Sequence, residues 1–255
     1  MRFALTLLFA CLLSGMSALA APGKDFYQIR IYRLKNNEQL SAVRQFLKDS
    51  WVPAVHRAGI GKIGVFEPVG IDTASVKFIY IIIPFRSEKE WRALDGKLLR
   101  DEAFVSSSQS FRNAPADRQP YERMESILLK AFEGQKRLVL PAKKGGTVFE
   151  LRSYESPTER LHEKKVAMFE NEEIALFKKL SFNVVFYARV VSGSHMPNFM
   201  YMPSFSSVDD RNAHWKTFGE DPQWKEMSAR PENENKVSVS HIDSILMQSA
   251  GSSDW

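Results

Sequence analysis

The amino-acid sequence repeats itself once, and that repeat limits the fold more than any single motif does. Asp25-Phe26-Tyr27-Gln28-Ile29-Arg30-Ile31-Tyr32 aligns with Thr147-Val148-Phe149-Glu150-Leu151-Arg152-Ser153-Tyr154, so that Arg152 stands 122 residues after Arg30. Phe85-Arg86-Ser87-Glu88-Lys89-Glu90 aligns with Phe205-Ser206-Ser207-Val208-Asp209-Asp210 at 120 residues, which carries Asp101 and Phe104 onto Asp221 and Trp224. Ser126-Ile127-Leu128-Leu129 aligns with Ser244-Ile245-Leu246-Met247 at 118 residues. Matches at the start, middle and end, in one order, mark a structural unit used twice. The two-residue drifts are what short loop insertions produce.

Each copy reads β-α-β-β-α-β. Residues 26–32 and 148–154 alternate and are rich in aromatic side chains, the pattern of a half-buried strand. In copy one, Leu40, Val43, Leu47 and Val55 fall on one face of a first helix, with Pro53 expected to kink or end it. Copy two places its first helix near residues 158–180. Middle strands are expected at 63–69 and 77–84, and at 184–191 and 199–203. Ser87 with Glu90, and Ser207 with Asp210, form capping boxes that open the second helix, and Asp221-Pro222 is a further helix start. Closing strands fall at 123–131 and 237–247.

This order is the ferredoxin-like motif, two helices on one face of a four-stranded antiparallel sheet. The other face needs a cover, which two copies in one chain can supply to each other. The expected fold is therefore α+β: two tandem ferredoxin-like modules packed sheet to sheet as an α+β-barrel pseudo-dimer. The modules span 21–132 and 147–248, joined by a linker at 133–146 that contains Lys, Gly and Pro, and followed by a tail, 249–255, expected to fray.

Ahead of the first module, Arg2, the apolar run Phe3–Leu13 and Ala18-Leu19-Ala20 read as a secretory signal cleaved after Ala20. Leu8-Phe9-Ala10-Cys11 has the look of a lipid-attachment box, but cleavage there would leave a very short apolar region and an apolar tail behind it. The expectation is a periplasmic or secreted protein with no stable membrane anchor, since no later stretch approaches about 18 apolar residues. Cys11 is the only cysteine and lies in that leader, which leaves the exported chain no disulfide, thiolate ligand or cysteine nucleophile. The net charge of +5 is spread along the chain without a basic stripe, so no nucleic-acid partner is expected. The sequence contains no G-x-S-x-G, P-loop or H-E-x-x-H, which sets aside the serine-triad, P-loop and zincin classes.

Val148-Phe149-Glu150-Leu151-Arg152-Ser153-Tyr154 is similar to the opening strand of NIPSNAP domains, and the second copy as a whole resembles that family. Asn183-Val184-Val185-Phe186-Tyr187 and Met196-Pro197-Asn198-Phe199-Met200-Tyr201-Met202 are similar to its middle strands. Asp210-Arg211-Asn212-Ala213-His214-Trp215-Lys216-Thr217-Phe218, followed by Asp221-Pro222-Gln223-Trp224-Lys225, is similar to its second-helix signature. Copy one is a degenerate relative. The chain departs from the family at Glu170-Asn171-Glu172, where glycines are common, and at Ala188-Arg189, where Gly-Glu is common. The resemblance implies a dimeric α+β-barrel fold, compatible with a homo-oligomer, and no agreed reaction.

Strand alternation puts Glu150, Arg152 and Tyr154 on one face and Phe149 and Leu151 on the other. The apolar face is expected to meet the helices and the polar face to line the barrel. Gln28, Arg30 and Tyr32 repeat the pattern, and Tyr187 and Arg189 share a face of the next strand. An interior arginine suits a carboxylate, enolate or phosphate; alternatively Arg152 pairs with Glu150 and specifies the sheet. The candidate ligand-binding residues are Arg30, Tyr32, Arg152, Tyr154, Tyr187, Arg189 and His241. His195, His214 and His241 lack the close spacing of a local metal motif, and neither a metal nor a cofactor is expected. The leading expectation is a small anionic ligand bound inside the barrel. A cofactor-independent monooxygenase- or isomerase-like enzyme and a non-catalytic interaction module are the alternatives.

Overall fold

The structure, a computed structural model, describes residues 23–142 and 146–255. The expected leader with Cys11, and Lys143-Lys144 of the linker, lie outside the described residues. Eight antiparallel strands close into a barrel. The first half supplies β1 (Phe26–Leu34), β2 (Gly64–Pro68), β3 (Lys77–Phe85) and β4 (Arg123–Ala131). The second supplies β5 (Val148–Glu155), β6 (Asn183–Ser192), β7 (Asn198–Phe205) and β8 (His241–Ser249). The order around the barrel is β1-β3-β2-β8-β5-β7-β6-β4. Each half therefore holds its four strands in the same relative order. The halves meet along both sheet edges, β2 on β8 and β4 on β6. The closure expected from sheets facing each other is completed by edge pairing, which leaves the barrel no open strand edge among the described residues.

Helices cover the outside. In the first half α1 spans residues 37–57 and α2 is Glu88–Arg100; in the second α3 spans 159–179 and α4 is Val208–Glu220. Their N-caps are Asn36, Ser87, Thr158 and Ser207, each accepting from a first-turn amide. The capping serines act as expected, accepting from the amides of Glu90 and Asp210, while the two acids reach back one residue beyond the cap to accept from the amides of Arg86 and Ser206. Helix α1 does not end at Pro53. A π-helical turn at Leu47–Trp51 leads into it, and Pro53 sits in the first turn beyond, where a missing N–H is tolerated. The same π turn recurs 122 residues on at Phe169–Glu173, without a proline, so it belongs to the repeated unit. Strand β8 starts at His241 rather than Val237, because Asn235–Ser238 form a short helix.

Three apolar clusters fill the molecule. One packs α1 and α2 onto the first sheet, and one packs α3 and α4 onto the second. The third lies inside the barrel and draws on both halves through Tyr27, Ile29, Phe66, Ile82, Phe149, Leu151, Phe186 and Met202. This reverses the expected facing of the strands. Phe149 and Leu151 point into the barrel, while Glu150, Arg152 and Tyr154 point toward the helices. The physical reason is enclosure. A barrel closed all round by strands excludes water from its middle, so side chains without charge belong there. The helix layer covers the outer face incompletely and lets polar tips reach partners or a cleft.

The tail, expected to fray, is docked instead. Trp255 is 6% exposed and stands against Phe66 and Phe149, ring centroids 5.1 and 6.3 Å away. The linker is also held: Leu138 and Leu140 pack against the barrel core, and Arg137 pairs with Asp25. Both close the same end of the barrel, where β1 and β5 begin.

Candidate functional site

The outward, helix-facing side of β1 carries Gln28, Arg30 and Tyr32, and that of β5 carries Glu150, Arg152 and Tyr154. The two arginines occupy equivalent places with different surroundings. Arg152 belongs to a closed network around Glu150, which is fully buried. Five hydrogen bonds converge on that carboxylate. Arg211 donates two, at 2.8 and 2.9 Å; Trp215 Nε1 donates at 2.7 Å, Ser244 Oγ at 2.6 Å, and Arg152 supplies the fifth. Burial alone would raise the Glu150 pKa. The bonds from Arg211, Ser244 and Trp215 and the charge of Arg152 outweigh it and hold the carboxyl down at about 2. Arg152 also donates to Tyr154 Oη at 3.0 Å and stacks over Trp215 at 4.7 Å. Of the two readings of Arg152, the geometry supports the internal ion pair.

In the first half the residue at the Glu150 position is an amide, Gln28, which donates to Ser126, the counterpart of Ser244, at 2.8 Å. The counterpart of Arg211 is Trp91, and that of Trp215 is Asp95. Arg30 thus has no buried carboxylate beside it. Its guanidinium reaches Asp95 at 3.1 Å, on a side chain that is 77% exposed, and lies over the Trp51 ring at 5.3 Å. Its buried Nε has no partner. In each half the arginine lies between a tryptophan and an acid, but the two trade helices. Asp95 is on α2 and Trp51 on α1, whereas Trp215 is on α4 and Glu173, the counterpart of Trp51, is on α3.

Arg30 faces an open cleft of about 690 Å³ between the first sheet and its helices. Tyr32, Phe46, Trp51, Phe111 and Tyr121 form its aromatic walls. Phe46 and Phe111 stack at 3.9 Å and Tyr32 meets Tyr121 edge-on at 5.1 Å. Burial pushes the Tyr32 hydroxyl up to about 12, with Arg30 opposing, so it stays a neutral donor.

The remaining candidates do not join this cleft. Tyr187 is buried on the helix side of the second sheet, stacked on Tyr201 at 5.8 Å. Arg189 pairs with Glu163 on the rim of α3. His241 is more than half exposed at the start of β8 and bonds Asp243 at 3.1 Å. None of the candidate residues lines the middle of the barrel. Sequence reasoning also missed the buried acid Glu173. Desolvation raises its pKa to about 7, against the opposing charges of Lys165 and Arg152. Lys165 is buried as well, donating to Asn235 at 3.0 Å. The repeat could have exposed Glu173, because its register sets it on the buried Trp51.

Residues 149–251 match the NIPSNAP family model. The resemblance read from the second copy is borne out over that span. No curated protein matches the chain. Solved structures extend the likeness over both halves. A candidate monooxygenase from Fusobacterium nucleatum is 7% identical and aligns over 89% of this chain and 93% of its own, with a TM-score of 0.61. A candidate monooxygenase from Lactobacillus acidophilus is 12% identical over 89% and 94%, with a TM-score of 0.57. An anthrone oxidase-like protein is 8% identical over 89% and 92%, with a TM-score of 0.53. At these identities the likeness is one of fold, over most of each chain.

Proposed function

We propose that this NIPSNAP-like protein binds a small organic anion with a flat apolar body in the cleft of its first half. The observation that carries the reading is Arg30, a largely enclosed guanidinium whose carboxylate partner is an exposed aspartate, on the wall of an aromatic cleft. A cleft of this size falls within the range of about 300–1,000 Å³ that small ligands occupy. The planar fork of an arginine suits a carboxylate, and an exposed ion pair such as Arg30–Asp95 is worth about 0–1 kcal/mol, little for a ligand to displace.

The test is thermal melting with benzoate, salicylate and naphthoate. A carboxylate at about 100 times its Kd adds about 2.7 kcal/mol, which raises the melting temperature by about 5–10 °C. Arg30→Met is expected to keep the unliganded melting temperature and lose the shift. An equal shift in the variant, or none in the wild type, would overturn the reading.

A second reading, a cofactor-independent monooxygenase- or isomerase-like enzyme, draws on Glu173. A buried acid titrating near neutrality beside Arg152 and Tyr201 is placed to handle a proton. Consumption in air of one of these carboxylates, lost in Glu173→Gln and retained in Arg30→Met, would favour it over simple binding.

We further read the halves as tandem ferredoxin-like modules, supported by their shared strand order, N-caps and π turns. Export remains part of the proposal, on the strength of the apolar run Phe3–Leu13 and Ala18-Leu19-Ala20. Protein from the native host should begin at or near Ala21 on N-terminal sequencing; a product that retains Met1 would rule export out.

A further inference from the structure

The geometry points to a divalent-metal site at the rim of the barrel, at the end opposite the docked tail, held by Glu155, His241 and Asp243. His241 opens β8 and lies directly across from Glu155, which ends β5. Opposed residues of an antiparallel pair share a face, and so does Asp243, two residues further along β8. This is the barrel-facing side that continues inward through Ile245 and Met247. One ligand atom from each of the three side chains lies within 4.8 Å of the others.

The spacing is compatible with a metal. Tetrahedral zinc with bonds of about 2 Å sets its ligand atoms about 3.3 Å apart. The His241 Nε2 to Asp243 Oδ1 distance is already 3.1 Å. Two carboxylates on one small patch repel each other unless a cation lies between them. On a third element, the β6–β7 loop, His195 Nδ1 lies 3.2 Å from Glu155 Oε1 and positions that carboxylate, as outer-shell partners of metal ligands do. On the other side of Glu155, across the β5–β7 pairing, Asn198 is 1% exposed and its Oδ1 has no partner. Its amide donates to Ser153 at 3.0 Å, so the unpartnered oxygen is free to accept from a metal-bound water.

One imidazole with two carboxylates favours a first-row ion such as Zn²⁺ over Ca²⁺, which takes oxygen ligands alone. Three protein ligands leave a fourth position for water, as in zinc sites that act on ligands. No local motif encodes the set: its three ligands come from two strands 86 residues apart that only the barrel brings together.

The test uses the full chain, dialysed against chelator and titrated with Zn²⁺ by calorimetry and with Co²⁺ by visible absorption. The expected result is one Zn²⁺ per chain and a tetrahedral Co²⁺ spectrum. His241→Gln is expected to weaken Zn²⁺ binding at least 100-fold, and His195→Gln about 10-fold, within the range that loss of an orienting partner costs. Both histidines are exposed, so the variants should melt as the wild type does; Asp243→Asn, also exposed, repeats the ligand test with another donor. Zn²⁺ affinity unchanged in both His241→Gln and Asp243→Asn would overturn the proposal. So would Ca²⁺ binding at this site in preference to Zn²⁺.

Discussion

Glu150→Gln is expected to destabilise the folded chain by about 3–5 kcal/mol, the cost of stranding buried charge by removing its partner. The carboxylate pairs with both Arg152 and Arg211, and both guanidinium groups are mostly enclosed. An amide of the same shape can still accept from Ser244 or Trp215, but it cannot offset two cations. The first half shows how such a position is made tolerable. There the amide is native, as Gln28, and the second arginine is replaced by Trp91. Adding Arg211→Met to Glu150→Gln should therefore recover part of the loss. Urea unfolding at pH 7 is the measurement, and a loss under about 1 kcal/mol would remove Glu150 from the centre of the network.

The same group predicts an acid limb. Its folded pKa of about 2 lies below its ordinary value of 4.5. The stabilisation is fully present above pH 4.5 and is lost as the pH falls from 4.5 through 2. The gap between wild type and Glu150→Gln should therefore narrow over that interval.

Much of the fold could be read from the sequence, because the repeat, the capping serines and the strand alternation are local signals. Arg30 and Tyr32 were legible as one-sided, and so were Arg152 and Tyr154. Which side they face was not. Alternation gives two faces without saying which is enclosed, and the barrel middle took the apolar set because both halves bury there. The difference between the arginines was present in the sequence as Gln28 against Glu150, Asp95 against Trp215 and Trp51 against Glu173. It acquires meaning only once α1 and α2 are known to flank β1. The rim cluster was illegible for a different reason. Glu155 and His241 become neighbours through strand pairing, which residue spacing does not encode.

Composition also misled at the tail, and the second large effect lies there. Gly251-Ser252-Ser253 looks like a fraying end, yet Trp255→Ala is expected to cost about 3–5 kcal/mol, the range for removing a buried tryptophan. The ring plugs the end of the barrel core against Phe66 and Phe149, and its Nε1 donates to the Lys62 carbonyl at 2.7 Å. The preceding residues fasten it to the lead-in and start of β2. The Ile63 amide donates to Asp254 Oδ2 at 2.7 Å, and the Val65 amide donates to Ser253 Oγ at 3.0 Å. Gly64 lies between them because a Cβ there would stand 2.4 Å from the Phe66 ring and 2.9 Å from the indole. Strand β2 is short and forms one of the two seams between the halves, so loosening its start weakens the joint itself. Trp255→Phe should retain most of the packing and lose about 1 kcal/mol with the hydrogen bond. Chemical denaturation of the two variants separates plug from bond. A Trp255→Ala protein within about 0.5 kcal/mol of wild type would show that the barrel end closes without the tail.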